Sequence, residues 1–323
     1  MSKVFILGGT GFLGYYTTKE LLARGYQVKT IALPPLPAKN LLPNEVELKL
    51  GDINKMSDDE IQELLSDCDG FIYAAGADER VVADKPAKKF YYEANVLPTQ
   101  RLAHLAKMAG VKSFVIFNSY MSEFAEKMPE LGLKDQPYPN MRLLQEQIAF
   151  AEGEGAMKVS SLRLPYIFGT MPGRMPLWKM FVDQMKGQPV YPALKGGTTI
   201  ITVEQVAEAA VGALENANHR DTFAIGMLNM KYQQFYQMIA DALGQKETQI
   251  PVVPFEQMKP TYEAVDKQAD QEGKEHGIHV VVTGQMQTKD LYVDPADTKD
   301  ILGIKDHDVI ASIKETLDKC VRG

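Results

Sequence analysis

Cysteine is scarce in this chain: its 323 residues include Cys68 and Cys320 and no other thiol. Two cysteines so far apart make neither a disulfide framework nor a cysteine-rich zinc site. Histidine occurs five times. Its one close pair, His276 and His279 in HGIH, reads as part of a polar loop, so no metal is expected. Long apolar runs are missing too, and none reaches the roughly 18 residues that cross a bilayer. The mildly apolar start of the chain is interrupted by Gly8, Gly9, Gly11 and Gly14, unlike the unbroken core of an export signal. The expectation is a cytoplasmic protein with no membrane partner. Positive charge is in the minority, with 35 Lys and Arg against 42 Asp and Glu and a net charge of −7. A phosphate backbone repels such a chain, so no nucleic-acid partner is expected.

What is present is ordinary globular material, 45% hydrophobic and 24% charged, which excludes a disordered or fibrous chain. Over the first 170 residues short β-rich runs alternate with stretches of helical spacing. The runs are Lys3–Leu7, Gln27–Leu33, Glu45–Leu50, Gly70–Ala74, Ser113–Phe117 and Lys158–Leu164. The helical stretches are Phe12–Arg24, Ser57–Leu65, Ala94–Ala109 and Asn140–Glu152. Such alternation predicts right-handed βαβ units and a parallel sheet covered on both faces. After Gly169 the texture shifts. A Met-, Pro- and Gly-rich stretch leads to a helix at Val203–Leu214, a strand at Thr222–Ile225, and helices at Tyr232–Leu243 and Val309–Val321. The nearly all-polar Glu256–Gly277 reads as an exposed helix or mobile insert and is given no chemistry.

Residues Lys3–Gly14 read KVFILGGTGFLG, a strand running straight into Gly8-x-x-Gly11-x-x-Gly14 and then a helix. Glycines at this spacing allow a tight turn, close approach of backbone to a pyrophosphate, and close helix–sheet packing. Free N–H groups at the helix start then meet the anion without a basic side chain. The context of strand, loop and helix makes this a dinucleotide-binding loop. About 20 residues on, an acid would hold the adenosine ribose diol of NAD. That position falls on Ala32, and the neighbouring one, where a base would suit the 2′-phosphate of NADP, is Leu33. Lys39 lies near enough in sequence to serve, and the missing acid removes repulsion, so the cofactor expectation is NAD(P) with a slight lean to NADP.

The ordered series GGTGFLG, Gly51-Asp52-Ile53, Tyr73-Ala74-Ala75-Gly76, Asn95, Val111–Val115 and Leu162-Arg163-Leu164-Pro165 resembles the extended or atypical short-chain dehydrogenase/reductase superfamily. Within it, the chain is most similar to the NAD-dependent epimerase/dehydratase group. Thr202–Ala207, Asp221–Gly226 and Asp300–Gly303 extend the likeness nearly to the C-terminus. The resemblance implies an α/β protein with a doubly wound parallel-sheet NAD(P)-binding Rossmann fold and a smaller C-terminal substrate-binding domain. The core would be 1–168, with 201–226 returning to it, and the cap would be 169–200 and 227–323. It also implies that Gly8, Thr10, Gly11, Phe12, Leu13 and Gly14 hold the dinucleotide, with Pro165 at its far end. Asp52 would accept from the adenine amino group beside Ile53, and Ala74, Ala75 and Gly76 would form a small-residue shelf. Asn95 would fix the backbone of the active-site helix. A turn acid at Asp52, ordinary packing at the shelf and a surface asparagine are the plain alternatives.

In this family the chemistry resembles a tyrosine passing a proton to or from a substrate oxygen beside a hydride carrier, helped by a lysine four residues on. Here the pair is Tyr138 and Arg142, in Tyr138-Pro139-Asn140-Met141-Arg142, and Pro139 is compatible with a first helical turn. A guanidinium keeps the charge that favours a phenolate, but it is larger than an ammonium and never deprotonates, so the exchange is not neutral. The family's third residue, Ser or Thr, falls at Tyr120 by position, with Ser119 one residue early and Ser122 two late. All three stay open. Arg174 and Trp178, in the segment after Gly169, suggest a clamp for an anionic or sugar-like substrate, against core packing for the tryptophan and solvation for the arginine.

The expectation is therefore an NAD(P)-dependent oxidoreductase or epimerase-type enzyme acting on a carbonyl or hydroxyl of a nucleotide sugar or small metabolite. The alternative is an NAD(P)-binding sensor or scaffold with little turnover. The helical stretches Ala94–Ala109 and Asn140–Glu152 offer apolar faces that would pair in a homodimer.

Overall fold

The computed structural model describes residues 2–323. Seven parallel strands form the main sheet, in the spatial order Glu47–Leu50, Gln27–Ala32, Lys3–Leu7, Gly70–Tyr73, Ser113–Ser119, Lys158–Leu164, Thr222–Ala224. The first three strands run outward one way. The chain then returns beside Lys3–Leu7, where Val4 pairs with both Val28 and Gly70, and proceeds the other way. This reversal opens a crevice at the carboxyl ends of the strands, the place where doubly wound sheets bind ligands.

Apart from the exposed edge strand Glu47–Leu50, alternation along the strands explains why the sheet is buried on both sides. Val4, Ile6, Ile72, Val115 and Leu162 face the helix Val203–Asn216, which packs on Phe12–Ala23. Phe5, Leu7, Phe71, Tyr73, Phe114 and Ile116 face the other way, with Phe5 edge-on to Phe71 at 4.9 Å. There they meet the helices Leu97–Met108 and Pro137–Gly153. Neighbouring residues on a strand thus serve two different cores.

Several helices differ from expectation, among them the one read from Asn140, which begins at Pro137, and Lys179–Met185 and Val280–Met286, which were not read from the sequence. The one read from Ala94 begins earlier, as Ala87–Tyr91, and passes through a wide π turn at Tyr92–Val96 before Leu97–Met108. Pro98 accounts for the wide turn, because it lacks an N–H and its ring crowds the carbonyl four residues back. A helix at Tyr120–Lys127, absent from the sequence reading, follows directly on Ser119.

At Pro165 the chain leaves the main sheet. Tyr166–Phe168 pairs with Gly197–Thr202 in a second, four-stranded sheet that also holds Leu228–Lys231 and Asp290–Leu291. Its core includes Phe168, Phe235, Ile239, Ile313, Leu317 and Trp178. Trp178 stacks on Phe168 at 4.3 Å and donates its indole N–H to the Ile167 carbonyl at 2.8 Å. It is mainly a core residue, with one side bordering the cavity that Arg174 also lines. The polar 256–277 segment is ordered as the helix Phe255–Gln271 and the strand Lys274–His276, paired antiparallel with Val82–Asp84. Among the described residues no helix is long and apolar enough to cross a membrane, and no group of three or more His, Cys, Asp or Glu is placed to hold a metal ion.

Candidate active site

The glycine loop owes its shape to close contacts that no side chain would allow. Gly8 has φ +91°, and a Cβ there would stand 2.5 Å from the Ala74 carbonyl oxygen. One on Gly14 would stand 2.1 Å from the Gly8 carbonyl oxygen. The Gly11 N–H donates to Gly8 at 2.8 Å, and the fully buried Thr30 hydroxyl bridges the Gly9 N–H and the Ile6 carbonyl. The helix starting at Phe12 has no side-chain cap and no acid in its first turn, so its positive end is left for an external anion. Thr10, Phe12 and Leu13 stand at that end.

The residues expected to line the rest of the cofactor site fall along the same crevice. Asp52 caps a short 3₁₀ turn at Ile53–Lys55, accepting from the Asn54 N–H at 3.0 Å, so part of its role is that of a turn acid. Ile53 is buried beneath it. Ala74, Ala75 and Gly76 leave the end of the fourth strand, and Gly76 takes φ +130° with Asn95 Oδ1 only 2.6 Å from where a Cβ would be. Asn95 is fully buried and clamps Ala77 from both sides, accepting from its N–H at 2.8 Å and donating to its carbonyl at 3.0 Å. The backbone it fixes belongs to the loop after the fourth strand rather than to its own helix, which corrects the expectation. Pro165 is the buried corner between the two sheets.

Ser119, Tyr138 and Arg142 converge where that crevice meets the second sheet. Pro137 and Pro139 both lie in the first turn of the helix Pro137–Gly153, where a missing N–H costs nothing. Ser119 ends its strand and caps the next helix, accepting from the Met121 N–H at 3.2 Å, and it is one of the groups that hold the Tyr138 phenol down. Tyr120, one residue on, turns away to meet the Thr198 hydroxyl at 3.0 Å in a buried contact with the second sheet. Ser122 is fully buried and points back at Asn118. Of the three open candidates, Ser119 is the one facing Tyr138.

Arg142 is held from behind. Its Nε donates to Asn118 Oδ1 at 2.8 Å and its Nη2 to the Phe117 carbonyl, while its guanidinium carbon lies 5.7 Å from the centre of the Tyr138 ring. Burial pushes the Tyr138 phenol up to about 12; Arg142 and Ser119 pull it down, and Glu79 and Asp78 push it further up. The expected bias toward phenolate is outweighed by loss of water, and the phenol keeps its proton at neutral pH.

Sequence reasoning missed three features. Asn118 is a hub, taking Arg142 and the Ser119 N–H on one oxygen and donating to the Arg142 carbonyl at 3.1 Å. The Gly277 carbonyl accepts from the Tyr138 N–H at 2.8 Å, and Gln136 accepts from the His279 N–H at 2.9 Å, so the polar C-terminal segment seats the tyrosine's first turn. Beneath the helix, Arg163 binds Glu146 through Nε at 3.0 Å and Nη2 at 2.8 Å, and Glu123 and Glu126 through Nη1 at 2.7 Å each. Of these residues the sequence pattern singled out Arg163, and nothing local joined it to the three acids.

A doubly wound sheet with a glycine-rich first loop and a tyrosine–arginine helix at its crevice defines a dinucleotide-binding α/β protein. Residues 4–226 match the NAD dependent epimerase/dehydratase family, and the chain belongs to that family. It is 23% identical over 258 residues to a decarboxylating sterol-4-alpha-carboxylate 3-dehydrogenase of Dictyostelium discoideum, spanning 73% of this chain and 75% of that protein. It is 27% identical over 259 residues to a UDP-glucose 4-epimerase of Neisseria meningitidis serogroup A, spanning 67% of this chain and 74% of the relative. The crystal structure of UDP-N-acetylglucosamine 4-epimerase from Bacillus cereus superposes with a TM-score of 0.69 over all of both chains, at 16% identity, and so shares the fold.

Proposed function

We propose that the protein is an NAD(P)-dependent oxidoreductase or epimerase-type enzyme acting on a carbonyl or hydroxyl of a nucleotide sugar or small metabolite, with Tyr138 as general acid/base. The observation that carries this is the buried Tyr138 phenol beside Ser119 and Arg142, at the crevice that also holds the glycine loop. The loop fits a dinucleotide: Cβ atoms at Gly8 and Gly14 would collide with backbone, and the first helix offers an uncapped positive end. In this reading Gly8–Gly14 hold the diphosphate, Asp52 and Ile53 border the adenine, and Arg142 Nη1, 3.6 Å from the Cβ position of Gly76, faces the ribose. A bound nicotinamide supplies hydride acceptance or donation. Tyr138, protonated at rest, gives its proton to a substrate carbonyl oxygen during reduction; for oxidation it first releases that proton to solvent and then, as the phenolate, takes one from the hydroxyl. Ser119 donates to the same oxygen and Arg142 steadies the phenolate while it exists.

Tyr138→Phe is expected to lower turnover by about 10²–10⁴-fold, with dinucleotide affinity in calorimetric titration nearly unchanged. Unchanged turnover overturns the mechanism. The sensor reading draws on the two Arg142 donors committed to Phe117 and Asn118. It requires that no carbonyl compound or nucleotide sugar turns over with either cofactor, and that Arg142→Lys changes binding without creating activity.

A further inference from the structure

The second strand ends in Ala32 and Leu33 and carries neither the acid nor the base that would read the adenosine ribose. A cation reaches the crevice from elsewhere. The segment after Gly169 makes a tight turn, with Met171 bridged to Arg174, and the turn is pressed onto the loop that follows the second strand. A Cβ on Gly173, whose φ is +70°, would stand 1.9 Å from the Pro37 carbonyl oxygen and 3.2 Å from the Ala38 Cβ. The segment is tied down at its base, where the Tyr16 hydroxyl donates to the Thr170 carbonyl at 2.6 Å and Lys319 to the Met171 carbonyl at 2.7 Å. It therefore spans the crevice as a strap.

Beneath the strap is a cavity of about 330 Å³ lined by Phe12, Arg80, Gly169, Met171, Arg174 and Trp178, among others. Arg80 is matched by Asp78, with Nε 3.0 Å from one carboxylate oxygen and Nη2 bonded to the other. Arg174 is exposed and, among the described residues, pairs with no carboxylate. The cavity thus carries one uncompensated guanidinium and opens on Phe12, the first residue of the dinucleotide-loop helix. A planar guanidinium with free donors is suited to phosphate oxygens.

We infer that Arg174, carried across the crevice by the Gly173 turn, forms with Arg80 a phosphoryl-binding subsite that supplies the charge missing from the second strand. Three sources share that chemistry: the cofactor's diphosphate, the 2′-phosphate of NADP, and a diphosphate on the substrate. The cofactor sources rest on the dinucleotide part of the function proposed above, and the substrate source on its nucleotide-sugar part.

The test is calorimetric titration of the full chain with NAD, NADP and UDP, comparing wild type with Arg174→Met and Arg174→Lys. One lost charge-assisted hydrogen bond to phosphate corresponds to about a tenfold or greater loss of affinity. A loss for NAD and NADP alike assigns the cofactor diphosphate, a loss for NADP alone the 2′-phosphate, and a loss for UDP alone the substrate. In each case Arg174→Lys retains part of the affinity, and the melting temperature holds because the side chain is exposed. Arg174→Met binding all three ligands as wild type does would overturn the inference. Wild-type protein that binds UDP but neither dinucleotide overturns the proposed function and leaves this subsite standing on its UDP arm; binding of none of the three overturns both.

Discussion

Glu146 offers a sharp test of how the active-site helix is held. It lies one turn beyond Arg142, with its side chain 3% exposed, and it takes two donors from Arg163, which is 4% exposed, and one from the Ser161 hydroxyl. Glu146→Ala strips those three donors of their acceptor but leaves Arg163 Nη1 on Glu123 and Glu126. Breaking a buried pair from one side costs about 3–5 kcal/mol, and the two surviving carboxylates place this variant at the low end, about 3 kcal/mol. With unfolding entropy near 2 cal/mol/K per residue, a 323-residue chain losing that much melts about 4 °C lower. Arg163→Met belongs higher, about 4–5 kcal/mol, because it abandons Glu146 where water cannot reach it. The double variant Arg163→Met, Glu146→Leu replaces both charges with apolar volume. Glu123 keeps Lys127 at 2.7 Å and Glu126 is half exposed, so the double variant recovers most of the loss. Urea and thermal unfolding of the three proteins read the cycle. The reasoning fails if Glu146→Ala stays within 1 kcal/mol of wild type, or if the double variant is less stable than either single one.

Alkaline pH should unfold the protein through its buried phenols. Burial holds Tyr138 and Tyr16 up near about 12 and raises Tyr120, Tyr166 and Tyr232 as well, so the folded state keeps protons that the unfolded chain releases near its ordinary value of 10. Stability from these groups is complete below pH 10 and lost as pH climbs toward 12, by roughly 1–3 kcal/mol for each fully buried phenol; a urea midpoint that does not move between pH 9 and 11.5 contradicts this. Asn95→Ala leaves both backbone groups of Ala77 without their partner and is expected to cost about 2 kcal/mol. Faster hydrogen exchange at Ala77 is the accompanying signature, and exchange as slow as in wild type would show that the clamp is not what orders the loop.

Much of the fold was legible because its signals are local. A glycine every third residue between a strand and a helix reports a backbone path that side chains would block, and the collisions at Gly8 and Gly14 bear this out. Five of the six strands expected in the first 170 residues begin where they were read, since a short β-rich run is a local signal. The stretch read as helix began at Asn140 and left Tyr138 outside it; the family resemblance put Tyr138 and Arg142 together, and the structure places both on Pro137–Gly153.

What the chain by itself determined was the strands of the sheet and the glycine loop, both properties of neighbours within a few residues. Tertiary structure alone decided which way each side chain spends its hydrogen bonds. Ser119 faces Tyr138 because it is the last residue in register on its strand, while Tyr120 opens a helix and turns to Thr198, 78 residues away. Trp178 was drawn mainly into a core by meeting Phe168 and Phe235, and the polar C-terminal segment became a support for Tyr138 through a single carbonyl at Gly277. Burial, too, is a collective property, and it set the Tyr138 proton in place against the pull of Arg142. Contacts between residues tens to hundreds of positions apart depend on how the layers close, and no local pattern records that.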